Sequence, residues 1–331
     1  MGEVITVVVG FPVREAVLDA IRAVDSRVRL VNLPGLSGGA PPSPEEAANW
    51  KADLAGARVL FGPTNISRDY LDAARGLEWW QVINAGVDRL ARDGLLDRGF
   101  VVTNVSGLVA VSIAEWVMGA VLAVEKGLPH AFREQQAHHW ARWRVGELAG
   151  KTMGIAGFGA IGRETGRRAR AFGMRVIASR RTAPAGSVDP DCDELVPHSN
   201  LNYLLEQSDY VVLCVPLTPE THHLIGAAQL ARMKPTATLV NIARGPVVDQ
   251  EALIAALRAG TIASAALDVT DPEPLPAANP LWEMPNVIIT PHVSGSIEGY
   301  GHRSAELFIR NLRRFAAGRD LENVVHRELG Y

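Results

Sequence analysis

From Lys151 to Phe172 the chain passes from an apolar run, through Gly157-Phe158-Gly159-Ala160-Ile161-Gly162, into an amphipathic stretch that begins at Arg163. The run 151–156 predicts a buried strand and 163–172 a helix, so the three glycines occupy the strand-to-helix turn of a βαβ unit. In such a turn Gly157 permits the sharp bend, Gly159 lets backbone approach a pyrophosphate, and Gly162 lets the helix close on the strand. Phe158, Ala160 and Ile161 complete the turn, and the free N–H groups at the helix start favour phosphate. In this context the pattern predicts a bound dinucleotide.

The end of the next strand discriminates between dinucleotides. An NAD-type site places Asp or Glu about 20 residues on, bonded to the ribose 2′-hydroxyl. Here the strand 174–178 ends in Ser179-Arg180-Arg181-Thr182, and no carboxylate follows until Asp189. An acid would repel a 2′-phosphate, whereas arginine offers it a charged fork. Ser179, Arg180 and Arg181 therefore predict NADP, with NAD a weaker ligand. The plain alternative is that both arginines are solvated loop charges.

The same alternation runs through the whole chain. Residues 4–9, 28–31, 58–61 and 79–83 read as strands, separated by helical stretches 14–24, 44–55 and 68–74. A second series of strands covers 152–156, 175–178, 210–214, 238–241, 264–267 and 287–289, almost uniformly apolar, as expected of parallel strands buried on both faces. The predicted fold is α/β, with two doubly wound parallel-sheet domains. Residues 34–44 read as a surface loop within the first. A final helix, about 296–317, sets Leu307, Phe308, Leu312 and Phe315 against Arg303, Arg310, Arg313 and Arg314.

Composition narrows the class further. With 331 residues, 47% hydrophobic and 21% charged, the chain is globular; its net charge of −3 supplies no global attraction to nucleic acid or an anionic membrane. The apolar stretch 107–124 is punctuated by Ser112 and Glu115, which predicts a buried or interface helix rather than a membrane span. The beginning of the chain, with Glu3 and no basic cluster, does not read as a signal peptide. Two cysteines predict a reducing, cytoplasmic setting, with Cys214 a buried small apolar residue and Cys192 an incidental loop thiol. No metal is expected: adjacent histidines on a helix, as in His138-His139 or His222-His223, diverge by about 100°. His223 is expected near a helix start after Thr221.

Three later segments each follow a predicted strand: Asn241-Ile242-Ala243-Arg244-Gly245, the run 268–275 containing Glu273, and Thr290-Pro291-His292-Val293-Ser294-Gly295. Ligands of open α/β sheets bind beyond the carboxyl ends of strands, where Arg244, Glu273 and His292 would converge. Singly, these read as a surface charge, a solvated loop acid and a structural histidine. Together they supply what reduction of a 2-keto acid requires: a cation for the carboxylate, a proton donor for the developing alkoxide, and a carboxylate that favours the donor's charged form.

Here the sequence resembles the D-isomer-specific 2-hydroxyacid dehydrogenases, particularly their glyoxylate/hydroxypyruvate reductase branch, over nearly its whole length. The resemblance rests on the glycine turn, on 241–249, 268–275 and 291–295, and on Arg-to-Glu and Glu-to-His intervals of 29 and 19 residues. It implies that His292 is the general acid/base, that Glu273 supports it, and that Arg244 binds the substrate carboxylate with the backbone of Ala85 and Gly86. It also implies that Val111, Val215, Pro216, Ile242, Ala243, Asp268 and Gly295 contact the cofactor. The family's domain plan puts a nucleotide domain at 104–295, inserted into a flavodoxin-like substrate domain of 1–103 and 296–331, with the site in the cleft. A homodimer built on the helix near 113–124 and the arm after it is implied, with Trp140 or Trp143 either entering a neighbour's pocket or packing at the interface. The rivals are a relative acting on another substrate, such as phosphoglycerate, and a non-catalytic dinucleotide-sensing scaffold.

Overall fold

The computed structural model describes residues 3–38, 41–181 and 187–328; Thr182, and Gly39 and Ala40 of the expected surface loop, lie outside them. The chain divides into two compact units, Met1–Leu108 with Glu298–Tyr331, and Val109–Ile297.

The first unit is a parallel sheet of β1 Ile5–Val9, β2 Val28–Asn32, β3 Val59–Gly62, β4 Trp79–Val82 and β5 Val101–Thr103, in the order β2-β1-β3-β4-β5. Every residue of β1, β3 and β4 is buried, which is why those strands are legible as continuous apolar runs. Between the strands lie α1 Glu15–Arg22, α2 Pro44–Ala55, α3 Arg68–Ala73 and α4 Asp88–Arg92. The start of α2 is fixed by a reciprocal cap between Ser43 and Glu46, with Pro44 at the first helical position. The expected loop at 34–44 contains a 3-10 turn, Pro34–Ser37, and buries Leu36 against the core, so it is not wholly a surface feature.

The second unit begins with α5 Ala110–Glu125 and α6 Leu128–Gln136. Its strands are β6 Thr152–Ala156, β7 Arg175–Arg180, β8 Glu194–Pro197, β9 Tyr210–Leu213, β10 Thr238–Asn241, β11 Ser264–Leu267 and β12 Val287–Ile289. All are parallel, in the order β8-β7-β6-β9-β10-β11-β12. Helices α7 Ala160–Ala171, α8 Leu201–Gln207, α9 Ala227–Leu230 and α10 Gln250–Ala259 complete it. Strand order reverses between β6 and β9, the switch point at which doubly wound sheets bind ligands. The carboxylate of Glu125, 5% exposed at the end of α5, takes Lys151 Nζ at 2.6 Å and the Tyr210 hydroxyl.

Thereafter the chain rejoins the first unit through α11 Tyr300–Ala316. Its apolar face is the one predicted: Phe308, fully buried, stacks on Phe61 and Trp79 with ring centroids 4.2 and 5.2 Å away. Asn104 stays with this unit because its N–H donates to Asn323 O at 3.1 Å and its amide to Ala85 O at 2.9 Å.

Several local expectations are corrected. Cys192, expected as an incidental loop thiol, is buried, because the segment carrying it folds back against α7; Cys214 keeps some backbone exposure while its thiol is buried. His138 and His139 follow the end of α6 rather than lying on it. His222 and His223 occupy a turn, not a helix start; their rings stack at 4.0 Å, and the His223 N–H donates to Pro246 O at 2.8 Å. Among the described residues no helix is long and apolar enough to cross a membrane, and no cluster of His, Cys, Asp or Glu is arranged to hold a metal.

Candidate active site

The nucleotide end of the second unit is built from the glycine turn outward. Gly157 has φ +96°, and a Cβ there would lie 2.6 Å from Cys214 O. The Gly157 N–H donates to Ser179 O at 3.1 Å, which fixes the turn beside β7. At Gly159, which caps α7, a side chain would meet only open space. Gly162 presses against Gly157 O, and Phe158 is turned into the core. Ser179 and Arg180 are strand residues rather than the loop residues expected, because β7 continues to pair with β8 through them. Ser179 Oγ and Arg180 Nε are buried and have no hydrogen-bond partner among the described residues. Open space over Gly159, a helix start facing it, and two unpartnered polar atoms at the end of β7 fit a dinucleotide.

Three loops follow β10, β11 and β12. In the first, the Asn241 side chain accepts from Ala243 N at 3.1 Å and donates to Arg244 O at 3.0 Å, shaping the backbone that presents Arg244. A Cβ on Gly245 would stand 1.9 Å from Thr270 O, so this loop lies directly against the one that carries Glu273. Within the second loop Glu273 Oε1 accepts from Thr270 N at 3.2 Å, while Gln250 of α10 donates to Asp271 O at 2.6 Å.

The third loop is organised by Asp268. Its carboxylate, 1% exposed, accepts from Thr290 Oγ1 at 2.5 Å, Val293 N at 2.9 Å and Ser294 N at 3.0 Å. The His292 N–H donates to Asp268 O at 2.8 Å. These bonds hold His292 at φ +55°, a left-handed conformation costly for a residue with a Cβ. Its ring Nδ1 lies 2.9 Å from Glu273 Oε2. Nε2 makes no hydrogen bond among the described residues, and the histidine side chain is 47% exposed. Ser112 on α5 donates to Ser294 O at 2.8 Å, and Gly295 packs on Val109 and Ile113.

Glu273 and His292 are thus brought together, and Arg244 sits on a loop in contact with theirs. Val215, Ile242 and Ala243 are nearly buried at strand ends, Val111 is 44% exposed, and Pro216 O accepts from Thr221 Oγ1 at 2.6 Å. Asp268, expected to touch cofactor, has both carboxylate oxygens engaged by the His292 loop. That role was missed, as were those of Asn241, Gln250, Thr290 and Ser112. The signal was an acid directly after a buried strand, but its donors arrive 22 to 26 residues later.

Ala85 and Gly86 lie in the first unit, between β4 and α4. There Tyr300 OH donates to Ile83 O at 2.5 Å, Val105 N to Asn84 O at 3.4 Å, Thr64 N to Asn84 Oδ1 at 3.1 Å, and Asn104 Nδ2 to Ala85 O at 2.9 Å. The acceptors of Ile83–Ala85 are used, while the N–H groups of Ala85 and Gly86 make no hydrogen bond among the described residues, leaving a donor-only edge suited to an anion.

Comparison with known proteins identifies the family. Residues 118–294 match the model for the D-isomer specific 2-hydroxyacid dehydrogenase, NAD binding domain. A glyoxylate reductase of Thermococcus gammatolerans is 40% identical, over 86% of this chain and 87% of that one. The chain belongs to the D-isomer-specific 2-hydroxyacid dehydrogenases. It is therefore a nicotinamide-dinucleotide-dependent oxidoreductase. A D-3-phosphoglycerate dehydrogenase of Methanocaldococcus jannaschii is 37% identical over 81% of this dehydrogenase, which spans only about half (51%) of that relative's length. Among solved structures, a family member from Xanthobacter autotrophicus in complex with NADPH and MES superposes with TM-score 0.83 at 29% identity, covering 100% of both chains. An NADPH-dependent glyoxylate/hydroxypyruvate reductase from Sinorhizobium meliloti, in complex with NADP and sulfate, gives 0.82 at 26%, covering 99% of this dehydrogenase and 100% of that chain.

Proposed function

We propose that this dehydrogenase is an NADPH-preferring reductase of small 2-keto acids, with glyoxylate and hydroxypyruvate its substrate type. The observation that carries the reading is the His292–Glu273 pair at 2.9 Å, held at the strand ends of the nucleotide-binding unit with Nε2 uncommitted. Nε2 donates a proton to the C2 oxygen as reduction proceeds and recovers one in the reverse direction. Glu273, bonded to Nδ1, fixes the orientation and tautomer of the ring. Arg244 binds the substrate carboxylate through a guanidinium that stays charged, and the unbonded N–H groups of Ala85 and Gly86 are read as donors to an anion. The dinucleotide, when bound, supplies the hydride.

The absence of an acid at the end of β7, the arginines Arg180 and Arg181, and the unpartnered Arg180 Nε support NADP. Relatives named glyoxylate reductase support the substrate class. The second unit is read as the nucleotide domain and the first as the substrate domain. Phe132 and Trp140, 59% and 90% exposed around the arm after α6, offer apolar area that a second copy would cover in a cytoplasmic homodimer.

Steady-state oxidation of NADPH and of NADH across glyoxylate, hydroxypyruvate, pyruvate and bulkier 2-keto acids tests this. Turnover with small acids and a higher kcat/KM for NADPH are expected. 3-Phosphohydroxypyruvate belongs in the panel because of the phosphoglycerate dehydrogenase relative; if it is the best substrate, the small-acid reading is wrong. Tight NADPH binding with no turnover of any acid would indicate a sensing scaffold instead.

A further inference from the structure

Just before β8, residues 189–192 form a tight turn against α7, closed by the Cys192 N–H donating to Asp189 O at 3.3 Å. The contact point is Gly166, where a Cβ would stand 2.4 Å from Asp191 O. Arginines on either side of Gly166 hold the segment. Arg163 pairs with Asp189, Arg167 Nε lies 3.4 Å from Asp191 Oδ1, and Arg170 Nε lies 3.3 Å from Asp193 Oδ1. The i, i+4, i+7 spacing places the three arginines on one helix face, where they meet Asp189, Asp191 and Asp193.

The rungs are unequal. Arg167 and Arg170 are 60% and 43% exposed, and ion pairs so wet contribute little. Asp189, in contrast, is 5% exposed, and its carboxylate also accepts the Asp191 N–H at 3.1 Å. Its partner Arg163 lies over the ring of Phe158, 5.5 Å from the centroid, inside the glycine turn. The Gly157–Ser179 hydrogen bond brings Arg180 to the same turn. Asp189 is therefore fixed, neutralised and held against the first turns of α7, the helix whose glycine turn lies against the end of β7.

We propose that Arg163 is a positioning residue for dinucleotide selectivity: by holding Asp189 against α7 it withdraws a carboxylate that would otherwise oppose a 2′-phosphate beside Arg180. This rests on the NADPH reading above. A buried carboxylate stripped of its cation carries an uncompensated charge, a cost that turning toward solvent relieves. There it repels the phosphate of NADPH but is indifferent to the hydroxyl of NADH, an effect of about five- to tenfold for a screened charge within about 10 Å.

The test is a double-mutant cycle on the full chain, reading dissociation constants for NADPH and NADH by cofactor fluorescence in wild type, Arg163→Gln, Asp189→Asn and the double variant. Arg163→Gln should lower the NADPH:NADH preference by about five- to tenfold, Asp189→Asn should leave it within about twofold of wild type, and the double variant should match Asp189→Asn. An equal loss of preference in Arg163→Gln and the double variant overturns the proposal, because Arg163 then acts on the phosphate directly. An equal weakening of both cofactors overturns it too, because Arg163 then serves only the shared pyrophosphate or the fold. Should Arg163→Gln fail to fold, Gly166→Ala lifts the segment without removing a charge; it should also lower the preference, and an unchanged ratio refutes the idea. A wild type without NADPH preference refutes the earlier reading, while the ratio of ratios still decides this one.

Discussion

The imidazole of His292 meets the carboxylate of Glu273 at 2.9 Å although their side chains are 47% and 39% exposed. A pair so open to water contributes little to stability, so its value lies in chemistry. Glu273→Gln keeps the shape but removes the charge. It should lower kcat for keto-acid reduction about 10- to 100-fold while leaving NADPH affinity and thermal stability nearly unchanged. A fall in stability with kcat intact would assign Glu273 to the fold instead.

Asp268 predicts the opposite balance. Its carboxylate accepts from Thr290, Val293 and Ser294 in a buried setting. Asparagine would present an N–H₂ group to at least one of those donors. Asp268→Asn should cost about 2–4 kcal/mol in urea unfolding and lower kcat as well, because the strained His292 backbone loses its anchor. Full stability in that variant would contradict the anchoring role.

Tyr210 makes stability depend on alkaline pH. Burial first, then its hydrogen bond to Glu125, raises the phenol pKa above its ordinary 10.0. A group whose folded pKa is raised stabilises below the unfolded value and loses that contribution as pH climbs toward the folded one. The wild-type Tm should therefore fall more steeply above pH 10 than that of Tyr210→Phe, which starts lower for want of the hydrogen bond. Parallel curves from differential scanning fluorimetry would remove Tyr210 from the alkaline transition.

Both thiols should be inert in the folded protein. Burial, helped by Asp189 and Asp193, pushes Cys192 up to about 11, and burial pushes Cys214 up to about 12. The thiolate is the reactive form, so labelling by Ellman's reagent near pH 8 should run at least about 100-fold slower in the native enzyme than in guanidinium. Rapid labelling of the native enzyme would show that one of these sites opens readily.

The parts of this molecule that could be read from sequence are those in which one short stretch carries its own physical reason. β6, β10 and β11 are buried on both faces and appear as bare apolar runs; the glycine turn states its geometry in its spacing. β5 has only three residues, with Val101 exposed, and β8 follows an acidic stretch and ends in proline, so neither displays a period. At the site, His292 and Glu273 were legible as reactive types. The anchoring of His292 by Asp268 was not, because the partners of a buried carboxylate are decided by how three loops meet. The seat of Asp191 over Gly166 is likewise a tertiary fact: the glycine marks a gap, and nothing local says what fills it.

The place of α11 sets an order of events during synthesis. Its Phe308 closes a stack with Phe61 and Trp79, yet it emerges from the ribosome only after all of Val109–Ile297. Until then the aromatic seat on β3 and β4 has no native cover, while the nucleotide-binding unit is already complete and able to fold. The nascent chain thus holds a finished domain inside an unfinished one, and the aromatic face of β3 and β4 gains its native cover only when the last helix leaves the ribosome.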